Sequence, residues 1–388
     1  MDADLLRTHT LREPGLLGIL AAALDAVEPH RIVRNFLQEK ELPGYKRLFL
    51  LGIGKAAEPM TLAAANVFTN FTDALIVTKF TSRPVRDKVT ILESGHPLPD
   101  ARSLAAGQAV LDFVSRLNED DLLICLISGG GSALVVSPAE GITLEDIRSK
   151  TSQLLAGGAA IREINLLRSK LDTLKGGGLV RATKARVLSL ILSDVIGNSL
   201  ETIASGLTVD PSLGDRVQNV IVGDIQTAAR AAFEQAKRSK FEAEILSLNI
   251  QGEAREAGVR LARKLVEENK WRRHPFCLIA GGETTVTLKG GGKGGRNQEL
   301  ALGAVDELGG VENILLISLA TDGDDGPTDA AGAVVDGESR QRAEKLGMHA
   351  ADHLSGNDAY PFFQALDDLI KCGYSGTNVN DLIFLFGL

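Results

Sequence analysis

Cysteine is scarce: Cys125, Cys277 and Cys372 are the only three in 388 residues, odd in number, far apart and without CxxC spacing. They build neither a disulfide framework nor a zinc cluster, and a reducing cytoplasm is the expected compartment. Long apolar runs are missing too. None approaches the ~18 residues of a membrane span, and Leu16 to Leu24 reaches Asp25 so early that it reads as a packed helix. Positive charge is in deficit, since 42 Lys+Arg minus 50 Asp+Glu leaves -8. That argues against nucleic acid as the main partner but leaves room for a local basic site facing a phosphorylated ligand. No G-x-x-x-x-G-K-[ST] occurs, so a kinase here would not be of the P-loop class. HExxH, a Ser/His/Asp hydrolase signature and a CxxC dithiol are likewise missing.

Glycine, in contrast, is abundant: 41 residues, about 11 % of the chain, against a typical ~7 %. The length predicts two or three domains. Helical sequence from Gly15 to Leu37 leads into a short apolar strand, Arg47 to Leu51, which ends in Gly52-Ile-Gly54-Lys55 and opens into an Ala-rich helix. The cycle repeats through strands at Ala74 to Thr78, Asp121 to Ile127 and Arg186 to Leu192, with helices at Ser103 to Leu117 and over Thr143 to Leu174, where Leu144, Ile147, Leu154 and Leu155 share a stripe. Such alternation predicts an α/β fold with a mostly parallel sheet covered on both faces. Val217 to Val222 and Ala243 to Leu248 flank another helix, and the polar helix Gly252 to Lys270 ends at Trp271-Arg-Arg-His-Pro275. A boundary near 270 is therefore expected, giving domains 1–270 and 271–388. The second would hold a strand at Phe276 to Ala280, a helix from Asn297 and a strand at Ile314 to Ala320.

Several loops carry candidate chemistry. Gly52-Ile-Gly54-Lys55-Ala-Ala57 fits G-x-G-x-x-A between strand and helix, where free N–H groups favour an anion. The next strand ends in Thr78-Lys79 with no acid, which disfavours NAD, and Lys55 predicts a phosphate contact; a plain tight crossing is the alternative. Ser128-Gly129-Gly130-Gly131-Ser132 also follows a strand and reads as an anion cradle, or else as a bare turn. Arg296, after the Gly290 to Gly295 loop, is either a phosphoryl clamp or a surface arginine beside Asn297 as a cap. Asp322, Asp324, Asp325 and Asp329 collect after a strand and suit Mg²⁺ or sugar-acid hydroxyls, though not in EF-hand spacing. Asp194 ends a strand, a common place for a catalytic carboxylate. His96 sits in the Pro-bounded SGHPLPD loop, where a structural histidine is an equal reading.

Taken in order, GIGKAA, SGHPLPD, SGGGSAL, KGGGL, SDVIGN, IASG, GGETTV, GGRNQEL, TDGDDGPTDAAG and SGTNVNDL resemble the glycerate 2-kinase family, from about Leu20 to Leu385. The resemblance implies a Rossmann-like domain plus a second, smaller α/β domain called MOFRL. It also implies a cleft in which Mg²⁺ and ATP serve phosphorylation of the D-glycerate 2-hydroxyl. The family's functional lysine falls on Lys55 and its functional arginine on Arg296, with Gly129, Gly130, Gly131 and Ser132 around an anionic group. Gly54, His96, Ser128, Glu283, Asn297 and Asn380 are expected to bind substrate or nucleotide. Asp194 is the expected base, with Asp322 and Glu283 as rivals or metal ligands and Asp325 beside Asp322 as a metal ligand.

The chain departs from the family where Leu167-Arg168-Ser-Lys170-Leu171-Asp172 lacks a histidine, and where Gly206-Leu207 replaces Gly-Pro. The last motif departs too, reading Gly373-Tyr374-Ser375-Gly376 before Thr377. Two other readings stay open: an NADPH-dependent hydroxypyruvate reductase using Lys79 or Arg83 at a 2'-phosphate, and a non-catalytic sugar-acid or nucleotide sensor. Small molecules are the expected partners, with no membrane, and a homodimer stays open.

Overall fold

The computed structural model describes residues 1–79, 81, 87–156 and 167–388. The readings made for Arg83, for the Leu155 side chain and for helix over 157–166 fall outside the described residues. The chain divides into two compact units, one of residues 29–224 with 376–378, the other of 1–28, 225–375 and 379–388.

The first unit is built on a six-stranded, all-parallel sheet in the order β3-β2-β1-β4-β5-β6. Its strands are β1 (Arg47–Ile53), β2 (Asp73–Thr78), β3 (Val89–Glu93), β4 (Asp121–Ile127), β5 (Arg186–Leu192) and β6 (Val217–Gly223). Every residue of β4 is buried, which is why Leu122 to Ile127 are continuously apolar and not alternating. On one face Phe49, Leu51, Leu123 and Cys125 pack with Val110 and Phe113 of the helix Ala101–Ser115. Each such large apolar side chain contributes roughly 1.5–3 kcal/mol. The register of the two central strands is pinned at their start, where Arg47 donates to both oxygens of Asp121 at 2.9 and 2.7 Å. In a doubly wound sheet of this order, ligands bind outside the carboxyl ends where the order reverses, here between β1 and β4.

The second unit holds a mixed sheet, β11-β10-β9-β12-β8-β7, formed by β7 (Glu242–Ile250), β8 (Phe276–Gly282), β9 (Ile314–Ala320), β10 (Gly332–Asp336), β11 (Leu369–Ile370) and β12 (Asp381–Gly387). Only β7 and β8 run parallel; the other pairs are antiparallel. Phe276, Leu278, Leu300, Ala304, Leu316 and Leu385 lie in its core.

These limits differ from a division at 270. Strand β7 pairs with β8, and that pairing keeps residues 225–270 with the C-terminal unit. The N-terminal segment joins the same unit because Thr8 Oγ1 and the Thr10 amide donate to buried Asp368 at 2.9 and 2.8 Å. Trp271 to Pro275 is thus the turn between the helix Ala254–Glu268 and β8. No helix among the described residues is long and apolar enough to cross a membrane.

Candidate active site

In the parallel-sheet unit the loops after β1 and β4 are laced together. Ser128 N–H donates to Ile53 O at 3.0 Å, Lys55 N–H to Gly129 O at 2.9 Å, and Ala56 N–H to Ser128 Oγ at 2.9 Å. Gly54 has φ 134°, and a Cβ there would stand 2.2 Å from Ser128 Oγ, so neither its conformation nor its space admits a side chain. The Ser128 hydroxyl is therefore committed to the turn that carries Lys55.

The rest of the glycine loop brings three predicted residues to one place. A Cβ on Gly129 would lie 1.9 Å from Asp194 Oδ2, so the missing side chain is what lets the carboxylate at the end of β5 sit against the loop. At Gly130 the same position would be 3.1 Å from the His96 ring and 3.3 Å from Lys55 Cγ. Among the described residues, the N–H groups of Gly130, Gly131 and Ser132 donate to no protein acceptor. Ser132 Oγ meets Ser205 Oγ at 2.8 Å, and Ser205 lies in a turn of positive φ with Ala204. Burial, and then the charges of Lys55 and Lys79, bring the His96 pKa down to about 4, so its imidazole is neutral at physiological pH. The chemistry available here is a lysine, a carboxylate, a neutral imidazole and backbone donors without an acceptor among the described residues.

In the mixed-sheet unit Arg296 starts the helix Arg296–Leu308 and is held on two sides. Its Nε and Nη2 donate to Asp381 at 2.6 and 3.1 Å, and Nη1 donates to Glu283 at 3.0 Å. Burial works against its charge, but Asp381 and Glu283 outweigh that and raise its pKa above the ordinary arginine value. Of its five N–H donors, two have no acceptor among the described residues. Asp381, which the sequence reading missed, opens β12 directly after Asn380, at φ 69°, whose carbonyl accepts from Thr321 N and Oγ1 at 3.2 and 2.7 Å.

Two predicted residues turn out to serve the fold. Asp325 accepts the N–H groups of Asn297 and Gln298 at 3.0 and 2.8 Å and so satisfies the first turn of that helix. Asn297 is 1 % exposed and accepts from Ser318 Oγ at 2.6 Å. Burial pushes the Asp325 carboxyl up to about 6, against the pull of those amides. Among the described residues no group of three or more His, Cys, Asp or Glu side chains is placed to hold a metal, and Asp325, expected beside Asp322 as a metal ligand, spends its oxygens on the helix amides. The Gly290 to Gly295 loop has a local reason for its composition as well. It is laced to Gly356–Asp358, with the Lys289 and Gly290 amides on Asn357 Oδ1 at 2.6 and 3.0 Å, and a Cβ on Gly290 would come within 2.4 Å of Gly356 O.

Comparison with known proteins agrees with this architecture. Residues 15–235 match the model described as a domain of unknown function (DUF4147), and residues 276–381 match the MOFRL family. The chain is 38 % identical to a D-glycerate 2-kinase of Thermotoga maritima, covering 94 % of this chain and 96 % of that protein. It is 33 % identical to a glycerate 2-kinase of Pyrococcus horikoshii, covering 96 % of each. A putative hydroxypyruvate reductase of Agrobacterium vitis is 36 % identical over 87 % of this chain and 98 % of its own length. The crystal structure of a Thermotoga maritima glycerate kinase superposes with a TM-score of 0.89, covering 95 % of this chain and 98 % of that one. The chain belongs to the glycerate 2-kinase family.

Proposed function

We infer that the chain is an ATP-dependent kinase that phosphorylates the 2-hydroxyl of D-glycerate to give 2-phosphoglycerate. The observation that carries this reading is the placement of Lys55, tied by its amide to Gly129 and set beside His96 and Gly130 where the sheet order reverses. Phosphoryl transfer spreads charge over phosphate oxygens and leaves the protein mainly positioning and electrostatic work. Lys55 and the unspent amides of Gly130, Gly131 and Ser132 supply positive potential. Arg296 of the mixed-sheet unit, fixed by Asp381 and Glu283, is proposed as a second cationic group of the reaction. Asp194 receives the 2-hydroxyl proton as the oxygen attacks the γ-phosphorus and the bond to the ADP oxygen breaks. His96, being neutral, is suited to hydrogen-bonding a hydroxyl and unsuited to acting as a cation.

The described carboxylates do not form a cage for Mg²⁺. The ion is proposed only as the companion of ATP, held mainly by phosphates and waters, as is usual where Mg²⁺ serves a nucleotide. Three free cysteines fit the cytoplasm. The relatives named D-glycerate 2-kinase and glycerate 2-kinase support the kinase reading over nearly the whole chain. Reductase chemistry finds less support, because β2 ends in Thr78-Lys79 with no acid for a ribose.

The test is ADP release from Mg-ATP with and without D-glycerate, the product identified by ³¹P NMR, and NADPH oxidation with hydroxypyruvate as control. Glycerate-dependent ADP and 2-phosphoglycerate are expected. NADPH oxidation without ADP would replace this reading.

A further inference from the structure

The reaction needs a seat for a small anionic acceptor, and none of the groups above provides one. Beside the glycine loop, wholly within the parallel-sheet unit, lies a cavity of about 180 Å³. That is smaller than the ~300–1,000 Å³ of sites for drug-sized ligands. Its lining carries three basic side chains, Arg148, Arg168 and Lys175, against one carboxylate, Asp172, and burial disfavours the charged form of Lys175. The Asp172 carboxylate is already engaged, accepting from Leu174 N at 2.9 Å and Ser137 N at 3.2 Å, with Lys175 Nζ at 3.9 Å. Lys175 is 2 % exposed and donates to Val135 O at 2.6 Å, and Arg148 Nε donates to Pro99 O at 2.6 Å.

Two groups in this wall have no partner among the described residues. No hydrogen bond or ion pair joins Arg168 to any described residue, although the side chain is partly buried and burial disfavours its charge. Thr151, 8 % exposed, has a buried Oγ1 that no described residue satisfies. A buried polar atom without a partner costs roughly 1–3 kcal/mol, and a carboxylate answers both groups at once, accepting from the hydroxyl and from the planar guanidinium fork.

We propose that this cavity binds the carboxylate of the acceptor, a small hydroxy acid, with Arg168 as its charged fork and Thr151 as a second donor. The site adjoins the proposed chemistry through the loops themselves. Ser132 lines it two residues after Gly130, and Pro97, Leu98 and Pro99, the three residues after His96, line it too. The proposal deepens the kinase reading and rests on it for the identity of the acid.

The experiment compares wild type with Arg168→Gln, Arg168→Lys and Thr151→Val, each first checked by thermal unfolding. Steady-state KM is measured separately for D-glycerate and ATP, and D-glycerate binding by calorimetry. Arg168→Gln should raise the glycerate KM and dissociation constant at least tenfold while the ATP KM moves less than twofold. Arg168→Lys should fall between, and Thr151→Val should cost a few-fold. If Arg168→Gln does not fold, the Lys and Val variants decide the matter by the same split. Unchanged glycerate KM in folded variants, with wild-type turnover intact, would overturn the cavity and leave the kinase reading standing. If wild type releases no ADP with glycerate, the kinase reading fails, and calorimetry with D-glycerate, D-lactate and tartronate then judges the cavity alone. Binding lost in Arg168→Gln would support it, and binding to neither or equally to both would sink it.

Discussion

The loops after β1, β4 and β5 and the start of the helix Arg296–Leu308 are both glycine-rich turns beside carboxylates, yet they use their polar groups in opposite ways. In the parallel-sheet unit glycine clears space: the Asp194 carboxylate stands against Gly129, the Lys55 and His96 side chains come together at Gly130, and backbone donors stay unspent. In the mixed-sheet unit the carboxylates are consumed. Asp325 satisfies helix amides, and Asp381 and Glu283 hold Arg296. An acidic cluster in sequence is therefore weak evidence for a metal, because helix starts and arginines compete for the same oxygens.

The sharpest way to break this contrast is Asp194→Asn, which should lower kcat by about 100-fold with little change in thermal midpoint, as measured by ADP release and calorimetric scanning. An unchanged kcat would remove Asp194 from the chemistry. Gly129→Ala drives a methyl group into the Asp194 carboxylate. It should cost about 1–3 kcal/mol and most of the activity, read by urea unfolding alongside turnover. Asp381→Ala in the other region leaves a partly buried guanidinium with Glu283 alone. Unfolding should show a loss of about 2 kcal/mol, together with reduced kcat as Arg296 loses its orientation.

The smallest effects are in pH dependence, and their signs differ between the two regions. The His96 pKa of about 4 lies below its unfolded value, so its contribution is present above pH 6.5 and is lost as pH falls toward 4. The Asp325 pKa of about 6 lies above its unfolded value, so its contribution is present below pH 3.8 and is lost as pH rises toward 6. Stability measured between pH 4 and 7 should therefore lose its rising component in His96→Gln and its falling component in Asp325→Asn.

Much of the fold was legible because the sheets bury both faces. The strand readings for Asp121 to Ile127, Arg186 to Leu192 and Ile314 to Ala320 match β4, β5 and β9 to the residue. Strand β3, five residues at a sheet edge with partly exposed Thr90, Ile91 and Leu92, gave no such signal. The compact units divide elsewhere than at 270 because their membership rests on the pairing of β7 with β8 and on the hold of Thr8 and Thr10 on Asp368, some 360 residues away. Asp381 was missed for the same reason, since its partnership with Arg296 spans 85 residues. Lys55 and the SGGGS loop could be proposed locally because strand, glycine turn and helix are contiguous in the chain.

Glycerate-dependent ADP release and thermal unfolding measured side by side for Lys55→Ala and Asp325→Ala test the central contrast most directly. The account predicts that Lys55→Ala loses roughly 100-fold or more in kcat at an almost unchanged unfolding temperature, whereas Asp325→Ala loses about 1–2 kcal/mol of stability as its main effect. A Lys55→Ala protein that turns over normally, or one that fails only by unfolding, would contradict it.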